Sequence, residues 1–269
     1  MVLHMKKDIM KLRFKISPNI KEDICEQVMR EIIEDEGIGD DKEKIAETRT
    51  KIYGRDDFAF KWTLDKELIK MMWAGWNHSE KWELFRKKLY SEIMNSPEFK
   101  STDFSKCYET AAEFFKTVPA NFNKYKDKVN GFLVNDLRLG NLDMPPIDTL
   151  ITFHGGLWDN KTRVIVWGHK NSIGDPAYDV RYLFHEWFHA VETFNGLDGN
   201  DISHAAMELA DVYLYYTILG GVGDYGDGHR HLNEIRNKIK PDFDRFISGG
   251  RGSFLNFQRE MMEKFASQK

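Results

Sequence analysis

Several things are scarce in this 269-residue chain, and each scarcity removes a class of protein. It has two cysteines, Cys25 and Cys107, without metal-binding spacing or a pairing pattern, so neither a disulfide scaffold nor a cysteine zinc site is expected. Charge of one sign is also lacking: 39 Lys+Arg against 43 Asp+Glu leave −4. That near-balance gives no electrostatic footprint for nucleic acid or an anionic membrane. Apolar runs stay short of the roughly 18–20 residues of a membrane span. The opening stretch MVLHMKKDIMKLRFKISPNI places charge in every window where a signal peptide needs an apolar core. The expectation is a soluble, cytoplasmic protein with neither nucleic acid nor membrane as a partner. Repeats and low-complexity blocks are missing too. What is present is 41% hydrophobic and 13% aromatic residues, enough to bury a core in one large or two small domains.

The first half reads as helices. Ile20, Ile24, Val28 and Ile32 form a 3.6-period apolar stripe over 20–35, followed by a polar breaker at 36–44. The same amphipathic pattern recurs over 64–76 and 80–95, and a further helix is expected over 104–117 before a polar passage to about 129. The middle changes character. Residues 148–156 (DTLITFHGG) and 162–169 (TRVIVWGH) are β-branched and aromatic, bounded by turn residues, and read as two short strands. Asp175-Pro176 then supplies an N-cap and a first-turn proline, and Asn195-Gly196 a stop, for one helix. Asp201 or Ser203 caps a second that runs to Gly220-Gly221, and helices are expected at 229–240 and 253–267. Helices, a small sheet and then consecutive core helices predict an α+β, predominantly helical fold.

The helix after Pro176 carries His185-Glu186-Trp187-Phe188-His189, a complete H-E-x-x-H. Residues four apart share a helix face about 5–6 Å apart. Two imidazoles so placed can bind one Zn²⁺, with Glu186 beside it to deprotonate a water. The helix is otherwise apolar on all sides, so its polar groups need partners, and a metal is the simplest one. A third ligand is needed. Glu208 stands 18 intervening residues after His189 on the next helix, and Asp211 one turn later can accept from a ligating imidazole. Asp198, nine residues after His189, is the rival. His204, His229, His231, Tyr213, Tyr215, Tyr216 and Tyr225 are candidates for an electrophile that steadies an oxyanion. Two other motifs fall away. The run Phe153–Trp158 lacks the Gly-x-Ser-x-Gly partner of lipase-like enzymes, and the Gly220–Gly228 loop lacks a phosphate-loop Lys.

The spacing H-E-x-x-H–x18–E resembles the gluzincin group of zincin metallopeptidases over about residues 148–220. The resemblance implies Zn²⁺ held by His185, His189 and Glu208, and Glu186 as the catalytic base acting on a protein or peptide substrate. It also implies a zincin-like catalytic domain over 131–269: a small sheet whose edge strand, at 162–169, binds substrate, an active-site helix and a glutamate helix. Residues 1–130 would form a helical N-terminal region. Asp211 comes three residues after Glu208, where many gluzincins carry an acid at four. The Asp198 offset is instead similar to the aspzincin group, without that group's flanking residues. A metzincin pattern is excluded, because Glu192 and Asn195 stand where it needs Gly and His. A different class is also compatible: a non-catalytic helical binding protein whose metal site is structural and closed, with His204 or Asp198 as a fourth ligand.

Overall fold

The computed structural model describes residues 8–35, 51–55, 60–64, 79–153, 156–168, 174–197, 199–223 and 229–266. The breaker at 36–44, the helix expected over 64–76 beyond Leu64, and the candidates Asp198 and Tyr225 lie outside them. In chain order the described elements begin with β1 (Leu12–Ile16), α1 (Ile20–Asp35), β2 (Lys51–Arg55), β3 (Phe60–Leu64), α2 (Ser79–Asn95), α3 (Pro97–Ser101) and α4 (Ser105–Gly131). They continue with β4 (Ile147–Ile151), β5 (Gly156–Asp159), β6 (Val164–Trp167), α5 (Pro176–Phe194), α6 (Asp201–Tyr213), α7 (Asn233–Gly249) and α8 (Phe254–Ala266). The fold is α+β, mostly helical, with a small mixed sheet.

Two compact units divide the chain. One comprises Met1–Ile16, Phe114–Ile151 and Gly156–Lys269, the other Ser17–Glu113 and Thr152–Gly155. The expected boundary at 130/131 falls at the end of α4, whereas the units divide inside that helix. The smaller unit has its own core, in which Ile20, Ile24 and Val28 of α1 meet Phe85, Leu89 and Ile93 of α2. Ile20, Ile24 and Val28 of the stripe read from sequence are buried. The antiparallel hairpin β2–β3 also belongs to this unit and carries no signal that a helical reading could catch.

The larger unit holds the four-stranded sheet in the order β1-β4-β6-β5. β1, β4 and β6 run parallel, and β5 pairs antiparallel with β6. This corrects the sequence reading in one functional respect. β6, expected to form the substrate-binding edge, lies between β4 and β5, and the sheet's edges are β1 and β5, neither of which was expected as a strand. β4 alternates as a half-buried strand should, with Ile147, Thr149 and Ile151 inward.

α4 continues well past the expected stop near 117 and contains Pro119. A proline inside a helix costs about 3 kcal/mol. On either side of it Val118, Phe122 and Val129 keep the stripe buried, each worth roughly 1.5–3 kcal/mol, so burial outweighs the break. α5 starts as predicted: the Asp175 side chain accepts from the Ala177 N–H at 2.9 Å with Pro176 in the first turn. It ends at Asn195, and Gly196 takes the left-handed φ of 67° that its stop requires. α6 is capped one residue earlier than expected, by Asn200, whose Oδ1 accepts from the Ile202 and Ser203 N–H groups. It runs into a π-helical turn, Leu214–Leu219, closed by Gly220 at φ 75°.

α5 is the centre of this core. Phe184 is fully buried between Phe132, Trp187 and Phe188, with ring centroids 5.6–6.4 Å away. Phe184→Ala should therefore cost about 3–5 kcal/mol in denaturant unfolding. Val222→Ser, at a position 89% exposed, should stay within about 0.5 kcal/mol of the parent protein.

Candidate metal centre

α5 and α6 are both apolar nearly all round, so polar side chains on their facing sides are buried by the packing of the helices themselves. His185, Glu186, Glu208 and Asp211 are all buried, and His189 and His204 half-buried. Together with His229, which precedes α7, they line one cavity of about 590 Å³, except Asp211, which lies behind His185. The edge strand β5 supplies another wall through Gly156, Leu157 and Trp158. Gly156 has no room for a side chain, because a Cβ there would collide with the Tyr182 ring.

The H-E-x-x-H pair has the geometry its spacing promised. His185 Nε2 and His189 Nε2 stand 3.2 Å apart. Two nitrogens bound to one tetrahedral zinc at ~2.0–2.1 Å are separated by roughly 3.3 Å. Behind His185, Asp211 Oδ2 contacts Nδ1 at 2.9 Å and the Arg181 guanidinium at 2.6 Å. The ring orientation is thereby fixed and Nε2 left toward the cavity, the arrangement that carboxylates give ligating histidines. Burial pushes the Asp211 carboxyl up to about 7, against the pull of Arg181. Burial also holds His185 well below its ordinary pKa, so the ring is neutral and its lone pair available.

Glu208 is buried where the glutamate helix was expected to place it, but both its oxygens are engaged. Oε1 accepts from the His229 backbone N–H at 2.9 Å and from its Nδ1 at 2.6 Å, and Oε2 accepts from Arg236 at 2.7 Å. Burial alone would raise this acid, yet the His229 hydrogen bonds and the Arg236 charge hold it at about 2. Its nearest approach to His204 Nε2 is 3.8 Å.

His185, His204 and His229 each present a ring nitrogen within 4.8 Å of the other two, a triad that could hold a metal ion. Inspection of the donors supports the fit. His204 Nε2 is a buried atom without a hydrogen-bond partner. Burial and the neighbouring His189 and His185 push its pKa down to about 3, leaving a neutral imidazole. An unsatisfied buried acceptor of this kind costs about 1–3 kcal/mol unless something binds it.

Glu186 lies beside these rings. Burial raises its pKa, and the Trp158 backbone N–H of β5 donates to its carboxylate. The remaining candidates fall elsewhere. Tyr215 donates to Asp175, Tyr216 to the Gly223 carbonyl, and Tyr213 packs on Phe132 and Phe243. His231 lies edge-on to His229 with centroids 5.7 Å apart. Arg181 and Arg236 were missed by the sequence reading. Each pairs with an acid of a different helix, Arg181 with Asp211 and Arg236 with Glu208, a relationship that local spacing does not encode.

If the triad binds zinc, the folded state should gain about 2.7 kcal/mol at a free ion concentration of 100 Kd. Thermal melts with and without zinc check this, and the increment should vanish in His185→Ala. The chain matches no family model, no curated protein and no solved structure, so its chemistry rests on this geometry.

Proposed function

We propose that the protein is a zinc-dependent metallopeptidase of zincin-like architecture. The observation that carries this reading is the 3.2 Å separation of His185 Nε2 and His189 Nε2, with the intervening Glu186 in the same cavity. His185 and His189 would hold the ion from α5. A third donor comes from the opposite wall, where His204, Glu208 and His229 stand. Zinc bound there supplies a Lewis acid and lowers the pKa of water to about 7.

The chain's own residues supply the rest. The Glu186 carboxylate takes the proton of the attacking water and passes it to the nitrogen of the leaving amine. Its raised pKa suits that shuttle, because an acid nearer neutrality returns a proton more readily. The Arg181–Asp211 pair keeps His185 in one tautomer. β5, the terminal strand of the sheet and a wall of the cavity, offers its backbone to an extended peptide. A cavity of about 590 Å³ is wide enough to receive side chains on either side of the cleaved bond.

One feature favours a second reading. Four imidazoles meet at this point, with centroids 4.7–4.8 Å apart for His185–His189, His189–His204 and His204–His229. Four nitrogens on one ion would make a closed, structural site in a non-catalytic binding protein. Glu186→Gln separates the two. In a peptidase it should lower turnover on a cleaved peptide library by about 10²–10⁴ while zinc content stays near that of the parent. A parent protein that carries zinc and cleaves nothing would leave the structural reading in its place.

A further inference from the structure

Two buried acids on α6, one turn apart, are used in the same way. Asp211 bridges Arg181 and His185 Nδ1, with contacts of 2.6 and 2.9 Å. Glu208 bridges Arg236 and His229 Nδ1, with contacts of 2.7 and 2.6 Å. In each case an arginine fixes a carboxylate, the carboxylate fixes one ring nitrogen, and the imidazole so held lines the same cavity. The first of these rings belongs to the H-E-x-x-H pair. The second, on the chain segment before α7, shares with it the ring-nitrogen cluster that spans at most 4.8 Å.

From this repeat we propose that His229, and not Glu208, is the third protein ligand of the metal, and that Glu208 is a positioning residue acting through His229. The inference rests on the metal reading above but not on peptide hydrolysis. Three observations argue for it. Glu208 Oε2 is held by Arg236, a cation that competes with a metal for the same charge, and Oε1 is already shared by two donors from His229. The doubled contact to the His229 backbone and ring sets both the position and the rotation of that imidazole, which is what a ligand requires. Among the described residues His204 has no such carboxylate brace: its approach to Glu208, 3.8 Å at Nε2, is beyond hydrogen-bond distance. His185, His189 and His229 then make an all-imidazole set, with His204 Nε2 as a neutral acceptor beside it.

The test uses the full chain and zinc alone. Zinc affinity is measured by competition with a chromophoric chelator for the parent, His229→Ala, His204→Ala and Glu208→Gln. His229 is about half exposed, so its removal spares the core. His229→Ala should weaken binding by more than about a thousandfold, as loss of a ligand does. Glu208→Gln should weaken it by about 10–100-fold, the usual effect of removing the group behind a ligand. Zinc X-ray absorption on the unaltered parent should count three imidazoles and no protein carboxylate, and Glu208→Gln should leave the whole ligand set unchanged, whereas a carboxylate ligand would be lost from it. The proposal is overturned if His229→Ala binds within about tenfold of the parent, or if the parent spectrum shows two imidazoles and a carboxylate. It is equally overturned if His204→Ala, rather than His229→Ala, loses the ion. A parent that binds no zinc at all sinks the metal reading itself, whereas the other failures leave that reading standing with a different third ligand.

Discussion

The constraint on which the site depends is that a buried carboxylate must be neutralised and hydrogen-bonded. Glu208 and Asp211 both lie at 0% exposure on α6, a helix whose other buried positions are Ser203, three alanines and Met207. An ion without partners in such surroundings is costed in several kcal/mol, and breaking a buried pair typically costs 3–5 kcal/mol. Two arginines from different helices, Arg181 on α5 and Arg236 on α7, meet that demand. Each carboxylate also takes an imidazole, Asp211 Oδ2 the His185 ring beside Arg181 and Glu208 Oε1 the His229 ring. The positions of His185 and His229 therefore follow from a requirement of folding before any metal enters.

This explains why the candidate residues were legible in unequal measure. The H-E-x-x-H spacing encodes a local relationship, since i and i+4 share a face whatever the rest of the chain does. The N-cap Asp175, the first-turn Pro176 and the Gly196 stop are local too, and α5 begins and ends where they place it. Asp211 behind His185 was also within reach, because the distance from motif helix to following helix is short. His229 and the arginines were not, because what decides their role is the path of the chain after Gly220. Sequence spacing made Glu208 a ligand candidate, and only the packing of α7 reveals that Arg236 and His229 already occupy it.

The sheet shows the same division. β4 and β6 announce themselves through β-branched residues; β6 lies within two residues of its expected limits, whereas β4 begins one residue early and ends at Ile151, five short of the expected 156. β5 did not, because Gly156-Leu157-Trp158-Asp159 is four residues long and opens on a glycine that looks like a turn. That glycine is demanded by a close approach: the Tyr182 ring lies where a Cβ would be. β5 is held to α5 besides by the Trp158 indole, which donates to Thr193 Oγ1 at 3.1 Å, and by its own backbone N–H to Glu186. Pattern reading assigns β6 to the edge since it sees two strands, and the short third one reverses the order.

β1 bears on where the unit that contains the site begins. Leu12–Ile16 pairs in parallel with β4, and just before it the Ile9 and Met10 backbone N–H groups donate to Asn130 Oδ1 on α4. Ile9 and Met10 are themselves buried in the larger core together with Val118, Phe122 and Val129. A parallel strand needs a long crossover connection, and here that connection passes through the whole smaller unit. A chain cut at residue 130 would therefore lose a sheet strand and the buried half of α4, although every residue lining the cavity comes after Ile151. The site is contiguous in sequence but its scaffold is not. Residues 8–16 and 114–130 thus belong, physically, to the unit that carries the histidines.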